Sequence, residues 1–362
     1  MRGHDRKQDA LYSYVSMEDR IPQDHPLRRM RSMVDELLKG LSARLSKLYA
    51  SVGRPSIPPE QLLRALLLQA LYTIRSERQL MEQLDYNILF RWFVGLSMDD
   101  RVWVPTVFTK NRDRLLQGEI ATAFLGQVVG LAREQELLSD EHFTVDGTLI
   151  EAWASLKSFR KKDAPAQPSG DDPGNPTVNF HGEKRTNQTH HSTTDPDARL
   201  YRKGLGKEAR LSYMGHALMD NRHGLVVGAL LTPATGRAEG EAALAMMKQV
   251  RRRAKTLGAD KWYDQAPVVN VLRRWGITPH VAQKWDERYT AIDERTTRHP
   301  GYVVSQRKRK LIEQLFGWMK TIGLMRKTRH RGKDRVGWMY VFTAAVFNIV
   351  RINNLTAAAS IK

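Results

Sequence analysis

The sequence contains no cysteine, and this absence excludes several kinds of protein chemistry at once. Disulfide bonds, thiolate zinc sites and cysteine nucleophiles all need that residue. Acidic residues are also scarce, because 39 Asp and Glu stand against 58 Lys and Arg, for a formal net charge of +19. Such an excess creates a positive potential that attracts a polyanion, so nucleic acid is the leading candidate partner.

Long hydrophobic runs are missing as well. No stretch approaches the ~20 apolar residues of a membrane span, and the polar start MRGHDRKQDA is unlike a signal peptide. We therefore expect a soluble, cytoplasmic protein that binds no membrane. A chain of 362 residues is long enough for two domains.

The first region, residues 1–137, has a helical pattern. Leucines recur at spacings of three and four after Pro58 and Pro59, which predicts a helix from about Glu60. Ser76 followed by Gln79 is typical of a capping box that opens a second short helix. The spacing is compatible both with a helix-turn-helix that binds DNA and with ordinary packing in a helical bundle.

The pattern changes at residues 142–146, a β-type run that ends at Asp146, and a second domain is predicted from residue 138 to 362. Its predicted strands are 142–146, 211–219, 225–232 and 277–282, and its predicted helices are 239–256, 265–275, 308–320 and 338–352. This order indicates an α/β fold in which helices flank a mixed sheet, preceded by an all-helical domain.

A polar segment interrupts the second domain at about residues 160–205. Five prolines and almost no aliphatic side chains lie between Asp163 and Pro196, so we expect a mobile loop. Its histidines, His190 among them, are interpreted as solvated side chains rather than metal ligands. We expect the loop to become ordered on DNA.

Three acids are candidates for a metal-dependent site. Asp146 ends the first predicted strand, Asp260 follows a later one, and Glu313 lies on a late helix. Phosphodiester exchange can use two hard cations held by a few carboxylates on rigid elements, and these three acids would suit that role. Glu151 is expected beyond the strand and Asp264 at a helix N-cap, so neither is counted as a ligand.

The surroundings of Glu313 are strongly basic. Arg309 lies four residues before the acid and Lys320 seven residues after it, so all three share one helical face. A solvated helix with ion pairs would show the same spacing, but Gly301–Arg335 holds eleven Lys and Arg against two acids. The candidate phosphate contacts are Arg307, Arg309, Lys310, Lys320, Arg326, Lys327, Arg329, His330 and Arg331.

These residues resemble the DDE transposases of bacterial insertion sequences, specifically insertion-sequence family five within the family four group. The sequences FTVDGTLIEAW at 143–153 and LGADKWYD at 257–264 look like the first two catalytic blocks of that family. The spacing Arg309-x3-Glu313-x6-Lys320 looks like the third. The resemblance covers nearly the whole chain, and its helical first region is similar to the family's DNA-end-binding domain.

The resemblance implies an RNase H-like core with Asp146, Asp260 and Glu313 as catalytic and metal-binding residues. It further implies two Mg²⁺ ions, for which Mn²⁺ substitutes, and no organic cofactor. The expected partners are double-stranded DNA, as terminal inverted repeats and target DNA, and a second copy of the chain in a homodimer. Such a bacterial protein would associate with the nucleoid.

Two positions depart from the family pattern. The tyrosine of the third block is replaced by Gln306, and a small residue after the second aspartate is replaced by Trp262. Trp262, with Lys261, is a candidate DNA contact, since an indole beside the site would stack on a base or obstruct the DNA.

Three functions fit the sequence. The first is an active transposase, which cuts the element ends and transfers the 3′-hydroxyl strand. The second is a catalytically decayed relic that binds the element ends and acts as a repressor. The two departures from the family pattern leave this function open. The third is a metal-dependent nuclease without strand transfer, because cleavage and rejoining use one site.

Overall fold

The computed structural model describes residues 14–50, 52–53, 55–117, 119–162, 185–202 and 208–359. In the described residues before His142, regular secondary structure is helical. These helices are α1 (Met17–Arg20), α2 (Pro26–Ser46), α3 (Pro59–Leu71), α4 (Glu77–Tyr86), α5 (Ile88–Val94), α6 (Pro105–Gln117) and α7 (Ile120–Glu134). The helix predicted from the leucine pattern is α3, which buries Leu62, Leu63, Leu66 and Leu67.

The predicted cap at Ser76 is present at the start of α4. Its hydroxyl oxygen accepts a hydrogen bond from the Gln79 amide nitrogen at 3.1 Å. The Gln79 side-chain oxygen accepts in turn from the amide of Arg75 at 3.3 Å, one residue before the position of a standard capping box.

The second part of the chain is built around a six-stranded sheet and a smaller two-stranded one. The strands are β1 (His142–Glu151), β2 (Phe159–Lys161), β3 (His190–Ser192), β4 (Arg199–Tyr201), β5 (Arg210–Asp220), β6 (Leu225–Pro233), β7 (Thr256–Ala259) and β8 (Thr278–Val281). Antiparallel β5 lies between β1 and the pair β4 and β6, while β1, β7 and β8 run parallel. Strands β2 and β3 form the small sheet.

Helices cover both faces of the main sheet. They are α8 (Ala238–Val250), α9 (Ala266–Arg274), α10 (Glu294–Thr297), α11 (Tyr302–Lys308), α12 (Leu311–Thr321) and α13 (Lys333–Ala359). Helices α8 and α9 share a core with Phe143 and Val145 of β1. Helices α12 and α13 share a second core with Ile150 of β1, whose side chain lies on the opposite face of the sheet from Phe143 and Val145. The predicted mixed sheet flanked by helices, after a helical N-terminal region, is confirmed.

One hydrophobic core joins the two parts of the chain. Helix α13 packs on both α7 and β6, and the rings of Phe124 and Phe342 stack at 5.6 Å between centroids. The stretch Lys333–Ala358 is long and apolar enough to cross a membrane, contrary to the prediction from runs of apolar residues, but 83% of its apolar window is buried inside the protein. It is therefore a core helix of this fold.

Several predicted boundaries are wrong. Asp146 lies in the middle of β1 rather than at its end, and Glu151 is the last residue of that strand. The predicted helix 308–320 corresponds to α12, which begins at Leu311, while Lys308 is the last residue of the separate helix α11. Helix α8 ends at Val250 rather than at Thr256.

The predictions for the polar segment and for Asp264 also need correction. Residues 185–202 contain β3 and β4, and His190 is buried rather than solvated, while residues 163–184 and 203–207 lie outside the described residues. Asp264 is buried and is not the predicted N-cap, because Gln265 holds that position before α9. Its carboxylate accepts from the amides of Lys284 and Ala291 and from the Thr290 hydroxyl, so it organises the loop after β8.

Candidate active site

The register of two parallel strands brings Asp146 and Asp260 to the same level. Thr144 of β1 pairs with Gly258 of β7, and each aspartate lies two residues further along its chain. Asp260 has extended backbone, with φ of −79° and ψ of 177°, so it continues the direction of β7. Adjacent strands are about 4.8 Å apart, and the two aspartates are therefore neighbours. Both are partly buried.

Local hydrogen bonds orient the two carboxylates. Asp146 Oδ1 accepts from the amide of Gly147 at 2.8 Å. Asp260 Oδ1 accepts from the amide of Trp262 at 2.9 Å, which starts a single 3₁₀ turn over Lys261–Tyr263. Strand β7 ends just before this turn, and the Trp262 side chain is 62% exposed beside Asp260.

A buried tyrosine lies close to both aspartates and to a third acid. Burial raises the pKa of Tyr263 well above its ordinary value, and the negative charges of Glu239, Asp146 and Asp260 raise it further. Within the described part of the chain, the Tyr263 hydroxyl is buried without a hydrogen-bond partner. Burial and these charges therefore favour the protonated form of the Tyr263 hydroxyl.

Glu239 was not predicted as a site residue. It lies in the first turn of α8, and a Cβ added to Gly147 would be 2.9 Å from Glu239 Oε1. Glu239 therefore lies close to the backbone that follows Asp146. In sequence, Glu239 looks like an ordinary acid at a helix N-terminus, so only the packing of α8 against β1 could reveal it.

Glu313 lies in the first turn of α12 and is exposed. Leu311, at the start of the helix, is next to the Gly224 turn near the beginning of β1. After the helix, the amide of Thr328 donates to the Glu151 carbonyl at the end of β1. Helix α12 thus follows β1 along the face that bears Ile150 and, by strand alternation, Asp146.

The three predicted acids lie on one side of the sheet but do not form a closed cluster. Across the residues that the structure describes, no group of three or more His, Asp and Glu side chains is close enough to hold a metal ion as it stands. The donor chemistry nevertheless fits Mg²⁺, which prefers carboxylate oxygens and needs few protein ligands because it keeps several waters. The unpartnered Tyr263 hydroxyl beside Asp146 and Asp260 is consistent with such a site.

The predicted phosphate contacts differ in exposure. Arg307, Lys310, Arg326, Lys327 and Arg331 are exposed. Arg307 lies in the last turn of α11, Lys310 lies between α11 and α12, and the other three follow α12. All five are accessible to a polyanion, although Lys327 also pairs with Glu151 at 3.2 Å. Arg309 and Lys320 are partly buried.

Arg329 contacts the turn between α3 and α4 instead, and His330 is partly buried. One guanidinium nitrogen of Arg329 donates to the carbonyl oxygens of Ile74 and Arg75. Burial, with the charge of Arg112, lowers the pKa of Arg329 to about 10. Burial also lowers the pKa of His330 to about 3, so this histidine is neutral at physiological pH. Contacts of these two side chains with phosphate stay a prediction.

A cleft of about 610 Å³ separates this part of the catalytic region from the N-terminal helices. Its wall includes Arg75 and Arg112 from one side and Lys327 from the other, and the Trp153 indole, which is 50% exposed, also lines it. Arg112 is buried and pairs with Glu77, which also lines the cleft, so Arg75 and Lys327 are the cations that face the ring from its two sides. Trp153 lies two residues after β1 and was not predicted as a site residue.

Two family models match the chain. Residues 15–114 match the family described as "Transposase domain (DUF772)", and residues 185–349 match the family described as "Transposase DDE domain". Asp260 and Glu313 lie within the second match, while Asp146 lies between the two. No curated protein sequence is significantly similar to the chain.

Solved structures with similarity to this fold include complexes of transposases with DNA. The piggyBac transposase synaptic complex with hairpin DNA is 12% identical, with a TM-score of 0.41, over 92% of this chain and 76% of that one. A pre-cleavage Mos1 transpososome is 10% identical, with a TM-score of 0.20, over 86% and 82% of the two chains. These scores are low, and the family assignment rests on the two family models.

Proposed function

Because the chain belongs to the DDE transposases, with a DDE domain matched at residues 185–349 and a further transposase domain at residues 15–114, we propose that Asp146, Asp260 and Glu313 are its catalytic carboxylates. The observation that carries this proposal is the parallel register, which makes Asp146 and Asp260 neighbours on adjacent strands. The substrate would be the terminal inverted repeats of an insertion sequence of family five, with target DNA as acceptor.

The same residues would hold two Mg²⁺ ions, or Mn²⁺ in their place. When bound, such ions supply charge neutralisation on the leaving oxygen and an activated hydroxyl group. The chain itself orients the carboxylates through the amides of Gly147 and Trp262. Tyr263 follows Asp260 in the same 3₁₀ turn and stays protonated, because burial and the nearby negative charges raise its pKa.

DNA would lie across the exposed basic side chains near α11 and α12. Arg307 and Lys310 flank the break between these helices, and Arg326, Lys327 and Arg331 follow α12. These side chains would contact phosphates and set the position of the DNA without reading its sequence. The N-terminal helices would bind the element ends, and two copies would act together as a homodimer on DNA in the bacterial nucleoid.

The departure at Gln306 does not require a decayed copy, because its side chain has a defined role in the fold. Gln306 Nε2 donates to the carbonyl oxygens of His280 and Ala259 at the ends of β8 and β7. Trp262 is exposed rather than packed against the carboxylates, so a stacking contact with a base is compatible with its position.

The proposed function predicts two classes of product from end-labelled DNA that carries the native flanking sequence of the gene. Incubation with Mg²⁺ and an unlabelled target plasmid should first give cleavage at the element end and then labelled plasmid with a covalently joined end. Cleavage without any joined product would favour the nuclease. End binding without cleavage would favour the relic.

A further inference from the structure

Helix α11 is attached to the ends of two parallel strands by the side chain of Gln306. Its amide nitrogen donates to the His280 carbonyl at 2.5 Å and to the Ala259 carbonyl at 3.3 Å. Ala259 is the last residue of β7 and directly precedes Asp260. The contact therefore acts on the backbone that carries the second catalytic aspartate.

The neighbouring residue reinforces the attachment. The Ser305 hydroxyl lies 2.6 Å from His280 Nδ1, and His280 Nε2 lies 3.0 Å from His299 Nδ1. Ser305 and His280 are both buried. Burial lowers the pKa of His280 to about 4, so the ring is neutral at physiological pH. Two consecutive side chains of α11 thus hold it against β7 and β8.

The attached helix leads directly to the third acid. Arg309 and Lys310 continue the chain in helical conformation from α11 into α12, and Glu313 follows in the first turn. The amide of Glu313 donates to the Lys310 carbonyl at 3.2 Å, so the link between the helices is itself hydrogen-bonded. A shift of α11 against β7 would change the distance between Asp260 and Glu313.

We propose that Gln306 is a positioning residue that holds the strand end bearing Asp260 in a fixed relation to the helix bearing Glu313. This inference rests on the proposed function, because it assumes that both acids hold the catalytic ions. A primary amide has two N–H donors and can serve two carbonyl groups at once. A tyrosine at this position, as in the family pattern, has a single donor and could serve only one.

The test compares two substitutions of similar size. Gln306→Glu places carboxylate oxygens against two carbonyl oxygens, while Gln306→Met keeps most of the side-chain volume and removes both donors. Gln249→Glu, on the exposed end of α8, is the matched control for the added charge. The measurements are the Mg²⁺ concentration for half-maximal end cleavage, the affinity for end DNA without metal, and the rise in melting temperature on adding Mg²⁺.

We expect Gln306→Glu to raise the half-maximal Mg²⁺ concentration roughly tenfold, because both hydrogen bonds are lost and the carboxylate repels the two carbonyl oxygens. Gln306→Met should raise it by a smaller factor, because only the hydrogen bonds are lost. Both variants should bind end DNA within about twofold of wild type, and Mg²⁺ should stabilise them less. Gln249→Glu should behave like wild type. If Gln306→Glu does not fold, Gln306→Met alone provides the comparison.

An unchanged Mg²⁺ requirement in both Gln306 variants would overturn the inference and leave the proposed function intact. A loss of end-DNA affinity as large as the loss of cleavage would also overturn it, because Gln306 would then act on DNA. A wild-type protein that cleaves no end DNA would refute the proposed function instead. The Mg²⁺-dependent melting temperatures of the variants would then decide the claim for Gln306 independently.

Discussion

Gly215 should tolerate no side chain, because its strand passes directly under a buried aromatic ring. A Cβ at this position would lie 2.5 Å from Tyr340 Cε2, 2.7 Å from Cζ and 3.1 Å from Ile150 Cδ1. Carbon atoms in contact are normally about 3.5–4.0 Å apart, so the ring would have to move by about 1 Å. Tyr340 is fully buried on α13 and has no free space to enter.

We therefore expect Gly215→Ala to lower the free energy of unfolding by about 1–3 kcal/mol from overpacking, partly offset by about 0.4–1 kcal/mol from the stiffer unfolded chain. Gly228→Ala on β6 is the matched control, because its nearest contacts would be ordinary ones at 3.5 and 3.6 Å. Equilibrium urea unfolding, followed by circular dichroism, should separate the two variants by roughly 2 kcal/mol. Equal midpoints for the two variants would refute the packing argument.

The substitution also bears on the site. Gly215 pairs with Thr148, two residues after Asp146 on β1. Burial raises the pKa of Tyr340, and the charge of Asp146 raises it further, which places the phenol within electrostatic range of that carboxylate. Gly215→Ala should therefore reduce end cleavage more than Gly228→Ala does.

Three further predictions concern pH and charge. Burial lowers the pKa of His216 to about 4, so as pH falls below about 6.5 the unfolded state takes up a proton before the folded state does. The free energy of unfolding should therefore fall by up to about 3 kcal/mol between pH 6.5 and 4. In urea unfolding His216→Gln should reduce this dependence on pH, and an unchanged dependence would contradict the prediction. Arg329→Ala should destabilise the protein by about 1–3 kcal/mol in the same assay, because two backbone carbonyls lose their donor; an unaltered midpoint would exclude that role. Arg326→Ala should lower the salt dependence of end-DNA binding by about one counterion, and an unchanged slope would show that this exposed side chain contacts no phosphate.

The sequence patterns identified most elements of the fold but misplaced Asp146. Asp and Gly are common in turns, so the pair Asp146-Gly147 was interpreted as the end of a strand. In the structure β5 pairs with the whole of β1, from Phe143 to Glu151, and this pairing carries the strand through the polar pair. Glu239 of α8 lies close to Gly147, a tertiary contact that no local pattern contains.

The acids of the site were only partly predictable. Asp260 follows a short extended stretch, and Glu313 lies in a helical segment rich in Lys and Arg. Both features can be seen in the sequence next to the acid. Glu239 and Tyr263 come to the site through packing of α8 and of a single 3₁₀ turn, so their sequence context gives no sign of it. For Asp264 the local sequence is misleading. Its position suggests a helix cap, but its carboxylate accepts hydrogen bonds from a loop that is distant in sequence.

The basic segment after α12 shows the same limit. A run of cations predicts a surface that binds phosphates, and Arg326 and Arg331 are exposed as expected. Arg329 and His330 lie in the same run but are partly buried, and Arg329 donates to the backbone between α3 and α4. Charge in the sequence does not distinguish a side chain that faces solvent from one that faces a neighbouring helix.

The most direct test of the catalytic assignment is excision of a marked element, flanked by its native DNA, with Mg²⁺ present. Wild type is compared with Glu313→Gln and with Glu294→Gln, an exposed acid on α10 that pairs with Arg298. We predict excision by wild type and by Glu294→Gln, and a loss on the order of 10²–10³-fold for Glu313→Gln with end binding retained. Excision by Glu313→Gln at the wild-type level would contradict the assignment.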